Sequence, residues 1–272
     1  MKPNWLIQTN MEGVDTGSLI AEVTSQGMFV LPIEHRLGKH IDFDCYSRHD
    51  CTICYGDIDF VRQVYHRSPF IPGAWCNFDN MKCSTYYAHF GGHLLNNQYV
   101  IMPLGDLQRR LDEFIYYHTP LSPSPKAVFI RPDSGAKPFT GYVVKPDEEY
   151  KIQQLIEDVG PETLVIVAPE KPITAEWRFV ICDRKVVTGC QYLPTESKWI
   201  DPESFRLAYK ISQNSWQPDT CYTVDMAESD GRMHLLEINS FSCAGFYDCD
   251  IAKIVEHASR AAIAEWNEYH VS

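Results

Sequence analysis

The most informative segment of the chain reads Val128-Phe-Ile-Arg131-Pro-Asp-Ser-Gly135-Ala-Lys137-Pro-Phe-Thr-Gly141-Tyr-Val-Val144. Its apolar and β-branched ends predict two strands, and the Pro, Asp, Ser and Gly residues between them predict a loop. Two glycines bracket Lys137 in this loop, so it can fold over phosphate groups and offer them backbone N–H donors and a cation. An ordinary hairpin loop has the same pattern, so this segment alone does not establish a phosphate site.

A second segment, Leu164-Val-Ile-Val-Ala168, is apolar throughout and is followed by Pro169. This composition predicts a buried strand. The end of such a strand can hydrogen-bond the edge of a purine through its backbone, while apolar side chains cover the faces of the ring. A central sheet strand without a ligand is the simpler interpretation of these residues taken alone.

A third feature is a predicted antiparallel hairpin with strands at 221–226 and 234–239. Glu237 and Asn239 are two positions apart, so their side chains point to the same face of the strand. Asp225 lies on the neighbouring strand. Carboxylates are costly in an apolar hairpin unless a cation neutralises them, and two carboxylates with one amide oxygen suit Mg²⁺ bound to a triphosphate. The hairpin therefore predicts a magnesium site.

The residues ahead of these features predict a small α/β unit. Strands are expected at 5–7, 28–32 and 51–55, with helices at 18–25 and after Asp57, which indicates a partly parallel sheet. Residues 66–98 are aromatic-rich and predicted irregular, and a strand at 99–104 and a helix at 106–117 follow. Prolines 120, 123 and 125 predict a linker. We therefore expect an N-terminal α/β domain over 1–117, a linker over 118–126 and a second domain over 127–272.

Composition limits the class of protein. The 272 residues include 24 Lys and Arg against 36 Asp and Glu, a net charge of −12. This excess of acid argues against binding to a nucleic-acid backbone, which requires clustered basic residues. With 44% hydrophobic residues the chain can bury a core, and we find neither a run of about 20 apolar residues nor the apolar stretch of a signal peptide. We expect a soluble, cytoplasmic protein without a membrane partner.

The ten cysteines allow two interpretations. Five lie between Cys45 and Cys83, including the pair Cys51 and Cys54, and zinc is commonly held by thiolates and imidazoles. Histidines near this pair are His35, His40 and His49. Against a zinc site, the segment around the pair also has the composition of a buried strand, in which small reduced cysteines pack well. The sequence favours structural cysteines and leaves zinc as the alternative.

Taken together, these features resemble the ATP-grasp superfamily. The shared order is a basic residue ending a strand, a glycine-containing loop, an apolar strand, the strand Glu176-Trp-Arg178, and the hairpin with Asp225 and Glu237-Ile-Asn239. The amino-acid sequence of the 128–141 segment is similar to that of a poorly characterised branch common in bacteriophages and bacteria. The members of this branch are expected to be carboxylate–amine ligases. The resemblance covers about residues 126–260 and extends more loosely over 50–105.

The resemblance implies a nucleotide site. Arg131 stands where most ATP-grasp enzymes have a lysine that reaches the α- and β-phosphates, and this departure replaces a point charge with a forked donor. Lys137 would lie over the β- and γ-phosphates. Val167 and Ala168 would offer backbone groups to adenine, and Glu176 would assist nucleotide binding.

The resemblance also implies a catalytic centre. Arg178, with Lys137, would stabilise the transferring phosphoryl group or the acyl-phosphate oxyanion. Asp225, Glu237 and Asn239 would hold one or two Mg²⁺ ions, with Mn²⁺ as an alternative. Tyr192 follows the Glu176-Trp-Arg178 strand and is interpreted as a packed tyrosine rather than as part of the acceptor pocket.

The implied fold is α+β (α/β): a small N-terminal α/β domain followed by an ATP-grasp body with two lobes of antiparallel sheet and helices. The implied reaction is ATP-dependent amide-bond formation between a small-molecule or peptide carboxylate and an amine, through an acyl phosphate. A phage-encoded chain would act in the host cytoplasm. A kinase acting on a small molecule, or a non-catalytic nucleotide- or zinc-binding module, are the alternatives. Segments 66–98 and 193–220 are expected to shape the acceptor pocket.

Overall fold

The computed structural model describes residues 1–43, 50–116 and 126–271. Its first sheet is parallel, with the strand order β2-β1-β3-β4. The strands are β1 (Asn4–Gln8), β2 (Phe29–Ile33), β3 (Cys51–Tyr55) and β4 (Ile71–Gly73), and the helices between them are α1 (Thr16–Ser25) and α2 (Ile58–Arg67). Each helix begins at an aspartate, Asp15 or Asp57, whose carboxylate accepts backbone N–H bonds of the first turn. The predicted small α/β unit is present.

The segment predicted to be irregular, 66–98, contains a regular element. Besides β4 it forms helix α3 (Cys83–Phe90). Tyr86, Tyr87 and Phe90 of this helix are buried in a core that they share with the third sheet. The prediction was wrong here because tertiary burial of this aromatic face, rather than local propensity, stabilises so short a helix.

The second sheet is antiparallel, with the order β5-β8-β6-β7. Its strands are β5 (Val100–Pro103), β6 (Val128–Pro132), β7 (Tyr142–Val144) and β8 (Leu164–Pro169), and helices α4 (Leu104–Tyr116) and α5 (Tyr150–Val159) share its core. Strand β5 comes from before the predicted linker and pairs with β8 from after it. The sheet therefore includes strands from both sides of the predicted domain boundary. Residues 118–125 of the linker lie outside the described ranges.

The third sheet is antiparallel, with the order β10-β9-β11-β12. Its strands are β9 (Ala175–Cys182), β10 (Lys185–Leu193), β11 (Cys221–Ser229) and β12 (Arg232–Ser240), and the helices packed on it are α6 (Pro202–Ser212) and α7 (Ile251–Val271). Alternate residues serve the two faces: Phe179 joins α6 in one core, and Val180 joins α7 and the first sheet in another. None of the described helices has the length and apolar character needed to span a bilayer.

The described cysteines fit the structural interpretation. Cys51 and Cys54 lie on β3 but are buried in different cores, one shared with α7 and the other with α2 and Cys76. His35, one of the nearby histidines, is paired with Asp59 at 2.8 Å. Within the described ranges no three His, Cys, Asp or Glu side chains are grouped as a metal site requires. Cys45 and His49 lie outside those ranges.

Asp219 connects the loop after β4 to the start of β11. Its carboxylate accepts backbone N–H bonds from Asn77 at 3.0 Å and Thr220 at 2.9 Å. Burial raises the pKa of Asp219 from 3.8 to about 7, against the effect of these hydrogen bonds. A carboxyl whose pKa is raised by folding stabilises the folded state at low pH, and that contribution is lost as the pH rises through the folded pKa.

We therefore expect the free energy of unfolding to fall between pH 5 and pH 8, with a contribution from Asp219 on the order of 2 kcal/mol. Urea denaturation across this range measures the decrease. Asp219→Asn removes the titrating group and should flatten the pH dependence. Asp230→Asn, at an exposed turn, is the matched control and should keep it. A slope that is unchanged in Asp219→Asn would assign the effect to another group.

Candidate active site

A cleft of about 400 Å³ lies between the second and third sheets. Apolar side chains form much of its wall, including those of Phe129, Phe139, Ile173 and Leu236. The charged side chains that line it are Arg131, Lys137, Lys171, Glu176 and Glu237. An apolar cleft with a few convergent charged groups is the usual form of a small-molecule site.

The register of the third sheet aligns the predicted catalytic residues. Arg178 on β9 is directly opposite Asp225 on β11, and Asp225 is directly opposite Glu237 on β12. Side chains at such paired positions project from the same face within a few ångströms of one another. Asn239 is two residues beyond Glu237 and joins the row, so four predicted residues from three strands meet on one face.

A β-bulge lies within this row. The pairing of β11 with β12 shifts between Asp225 and Met226, so that Leu236 has no direct partner. Bulges re-aim side chains and backbone groups. Here the Leu236 side chain lines the cleft, and its carbonyl oxygen accepts a bond from Arg131 at 3.4 Å.

Arg178 and Asp225 form a buried ion pair. Two guanidinium nitrogens donate to the two carboxylate oxygens at 2.7 and 2.6 Å, and the third donates to the Gly245 carbonyl at 2.8 Å. The guanidinium also lies over the rings of Tyr247 and Tyr192, at 4.9 and 5.8 Å from their centroids. Burial raises the pKa of the Asp225 carboxyl, and the guanidinium opposes that increase. The fork holds Arg178 in one orientation at the edge of the cleft.

Glu237 is held between two cations. Arg131 Nη2 donates to its Oε2 at 2.8 Å, and Lys137 Nζ lies 3.1 Å from both carboxylate oxygens. Lys137 also donates to Asn239 Oδ1. Burial opposes ionisation of Glu237, but the charges of Lys137 and Arg131 outweigh it and hold the pKa of the carboxyl well below its usual range. The glutamate is therefore a carboxylate at any physiological pH.

The loop 133–141 places Lys137 over this cluster. Two glycines permit close approach: a Cβ at Gly141 would lie 2.9 Å from Arg131 Cβ, and one at Gly135 would lie 2.4 Å from the Phe78 carbonyl oxygen. Asp133 accepts the backbone N–H of Ser84 at 2.8 Å. The loop is therefore docked against residues 78–84, at the start of α3.

Glu176 and Tyr192 form a second polar pair in the cleft. The Tyr192 hydroxyl donates to Glu176, and burial raises the pKa of the Glu176 carboxyl. Both side chains line the cleft, and the Tyr192 ring stacks on Tyr247 with centroids 4.7 Å apart. Tyr192 is packed on Tyr247, as the sequence interpretation held, and it also lines the cleft, which that interpretation left out.

The structure places Val167 and Ala168 inside β8, where both are buried. Val167 pairs with Ile130 on one side and Val100 on the other. Neither side chain is part of the cleft lining, which is reached instead by Lys171 and Ile173 just beyond this strand. The predicted role of Val167 and Ala168 uses their backbone groups and not their side chains, so the absence of their side chains from the lining does not test it.

Sequence reasoning did not single out several residues of the cleft, among them Lys171, Ile173 and Leu236. Lys171 Nζ donates to the Leu95 carbonyl and to Asn97 Oδ1, which fixes the segment after α3 to the segment after β8. Residues of 66–98 line both spaces, Leu95 and Asn96 the cleft and Met81 the cavity beside it, and their expected role in an acceptor pocket stays a prediction. Within the described residues, 193–220 lines neither this cleft nor the cavity beside it, because α6 packs on the opposite face of the sheet.

Two of the three predicted metal ligands, Glu237 and Asn239, suit a hard divalent cation. The third, Asp225, lines neither cavity, and both of its carboxylate oxygens accept bonds from Arg178. Asn239 Nδ2 donates to Asp225 Oδ2 at 3.1 Å and to Glu237 Oε1 at 2.8 Å. These bonds turn the amide oxygen of Asn239 towards the same cation that Glu237 contacts, Lys137. Oxygens that already converge on a positive charge match the ligand preference of Mg²⁺.

A second cavity, of about 160 Å³, lies beside the first, and Lys137 lines both. Arg178, Asn239 and Ser240 supply its polar side chains, and Ile58 and Met81 are among its apolar ones. Ile58 begins α2, so the N-terminal sheet region contributes to this wall. The site therefore has two adjacent cavities, and the Lys137 side chain lies between them.

Two sequence comparisons bear on this site. Residues 110–257 match a sequence-family model described as ATP-grasp domain, R2K clade family 2. A search of curated proteins finds no match to the chain.

Solved structures share the fold over nearly the whole chain. The D-cycloserine synthetase DcsG is 13% identical, with a TM-score of 0.62 over 95% of this chain and 99% of that one. D-alanine–D-alanine ligase from Bacillus anthracis complexed with ATP is 12% identical, with a TM-score of 0.61 over 99% and 100%. The ATP-grasp ligase PsnB complexed with a minimal precursor is 10% identical, with a TM-score of 0.59 over 97% and 100%. At these identities the similarity establishes the fold.

Proposed function

The chain belongs to the R2K clade of the ATP-grasp family, and from this premise we propose that it is an ATP-dependent carboxylate–amine ligase. The observation that supports the proposal is the row Arg178–Asp225–Glu237, with Arg131 and Lys137 bonded to its end, at the junction of two cavities. Cations placed at such a junction can stabilise the charge that develops when a phosphoryl group passes from one side to the other.

The larger cavity is assigned to ATP. Its apolar walls suit a purine, and Arg131 and Lys137 would bind the phosphates as the forked and the point cation respectively. The backbone of Val167 and Ala168 remains our candidate for reading the adenine edge. In support, β5 begins at Val100, opposite Val167, so its pairing does not cover that edge of Ala168. Glu176, which lines the same cavity, would contact the nucleotide.

The smaller cavity is assigned to the carboxylate substrate. Its carboxylate oxygen would attack the γ-phosphorus, ADP would leave, and the amine would then attack the carbonyl carbon of the acyl phosphate and displace phosphate. Arg178 faces this cavity and would stabilise the oxyanion of that second step. The docked loop 133–141 would keep water from hydrolysing the intermediate.

Asp225, Glu237 and Asn239 would hold Mg²⁺ or Mn²⁺. The bound ion would neutralise phosphate charge and help to orient the transferring group. The protein's own side chains would contribute the rest of the catalytic effect. Arg131 and Lys137 would position the phosphates, and Arg178 would stabilise negative charge on the acceptor side.

The proposal predicts a trappable acyl phosphate. With Mg²⁺-ATP and a panel of amino acids and small carboxylic acids, one class of acid should raise ADP release at least about tenfold, because it alone completes the reacting pair. Hydroxylamine, added as a generic amine, should convert that acid to a hydroxamate, which is detected by mass spectrometry. A stable phospho-product without hydroxamate would identify a kinase. Nucleotide binding without turnover for any acid would identify a binding module.

A further inference from the structure

Lys137 lies where the metal ion of the proposed function would be bound. Its ammonium nitrogen is 3.1 Å from both carboxylate oxygens of Glu237 and also contacts the amide oxygen of Asn239. These are three of the oxygen atoms assigned to the divalent cation. A lysine ammonium and a metal ion cannot occupy the same point between them.

We propose that Lys137 is a tethered cation that occupies the divalent-metal position in the nucleotide-free protein, and that metal binds tightly only after nucleotide phosphates have drawn this lysine away. The inference rests on the proposed function, since it uses the same metal ligands. It adds an order to their use: the phosphates bind Lys137 first, and the vacated oxygens then bind the metal.

The charge balance of the site supports this role. Glu237 is only 21% exposed at its side chain and lies beside buried Asp225. Such carboxylates require positive charge nearby whether or not a ligand is present. Arg131 supplies part of it from one side, and Lys137 supplies the rest at the oxygens that face Asn239.

The backbone of Lys137 supports it independently. Its φ angle is +44°, in the left-handed region that a residue with a side chain adopts only under local constraint. Lys137 closes a turn in which its backbone N–H donates to the Ser134 carbonyl oxygen at 3.2 Å. A side chain carried by a loop turn can move from Glu237 to a phosphate without shifting a strand, whereas Arg131 lies on strand β6.

The proposal requires thermodynamic coupling. If nucleotide removes the competitor for the metal position, nucleotide must tighten metal binding, and metal must tighten nucleotide binding by the same factor. Removing the lysine side chain should break this coupling, because the metal position is then free from the start.

The test measures Mn²⁺ binding by electron paramagnetic resonance of free Mn²⁺, without nucleotide and then with the non-hydrolysable analogue AMP-PNP. Without nucleotide, Lys137→Met and Lys137→Gln should bind Mn²⁺ at least about tenfold more tightly than the wild type, equivalent to about 1.4 kcal/mol. AMP-PNP should tighten Mn²⁺ binding in the wild type and add much less in these variants.

Two control variants separate occupation of the site from a general charge effect. Lys137→Arg keeps a cation on the loop and should keep weak Mn²⁺ binding. Lys185→Met removes the same charge from an exposed position outside both cavities, so nucleotide-free Mn²⁺ binding should stay within about twofold of the wild type.

The outcomes distinguish this inference from the proposed function. If AMP-PNP promotes Mn²⁺ binding in the wild type, but Lys137→Met and Lys137→Gln bind no more tightly than the wild type without it, the tethered-cation role is wrong and the ligase proposal stands. If Mn²⁺ binds to no form, even with AMP-PNP, the metal assignment fails and both are overturned.

Discussion

Under the proposed function, replacing Glu237 with glutamine is expected to lower ATP turnover by roughly a thousandfold or more, because this one residue would hold the metal and also position the two cations that would bind phosphate. Glutamine keeps the shape of the side chain and one oxygen, but it loses the charge that holds Arg131 and Lys137. Steady-state ADP release at saturating Mg²⁺-ATP measures the loss. Nucleotide binding should persist, because both cations remain available to phosphates.

The same substitution should leave the protein folded. The amide can still accept a hydrogen bond from Arg131, so we expect a loss of about 1–3 kcal/mol in the free energy of unfolding rather than collapse. Glu162→Gln, at an exposed turn before β8, is the matched control and should change neither quantity. Turnover that survives in Glu237→Gln would show that the metal assignment is wrong.

The largest effect on stability is expected at Arg178. Arg178→Met leaves the Asp225 carboxylate, which is 1% exposed, without its bidentate partner. Stranding one partner of a buried pair typically costs about 3–5 kcal/mol. Burial then favours the protonated carboxyl of Asp225, so the variant should lose more stability between pH 5 and pH 8 than the wild type does. Urea denaturation at both pH values measures this, with exposed Arg206→Met on α6 as the control.

A double variant tests whether the loss comes from the pair. Arg178→Met with Asp225→Asn removes the stranded charge and should recover about 1–3 kcal/mol relative to the sum of the single changes. Arg178→Lys should keep more stability but lose about a hundredfold in turnover, because a point charge cannot replace the fork. Additive effects of the two single substitutions would contradict the ion-pair account.

The β11–β12 hairpin shows which features of the site could be predicted from the residue pattern alone. Glu237 and Asn239 lie two apart, and a period of two places both on one strand face whatever surrounds them. Likewise, Gly135 and Gly141 around Lys137 predict a loop with unusual backbone freedom, and the structure uses both for close approach. These features were predictable because they depend on neighbours in sequence.

The partners of those residues were not predictable in the same way. Segment 66–98 was expected to shape a pocket only as a whole. Leu95 and Asn96 in particular lie at the cleft with Lys171 and the Leu94–Leu235 bridge holding them there. Helix α3 forms because Tyr86 and Phe90 are buried against a sheet more than 70 residues away along the chain. Such contacts depend on the packing of distant segments.

The sequence by itself determined that Glu237 and Asn239 share a strand face and that a glycine-bracketed loop carries Lys137, because strand periodicity and glycine spacing are local properties. The order of its motifs carried the resemblance to the ATP-grasp superfamily, and with it the expected roles of the cations. Only the tertiary structure decided which charged side chains pair with one another. The register of β9, β11 and β12 pairs Arg178 with Asp225, and the docked loop places Lys137 on Glu237. Register and docking depend on which surfaces can be buried together, so the contacts of Lys137 with Glu237 and Asn239 became visible only in three dimensions.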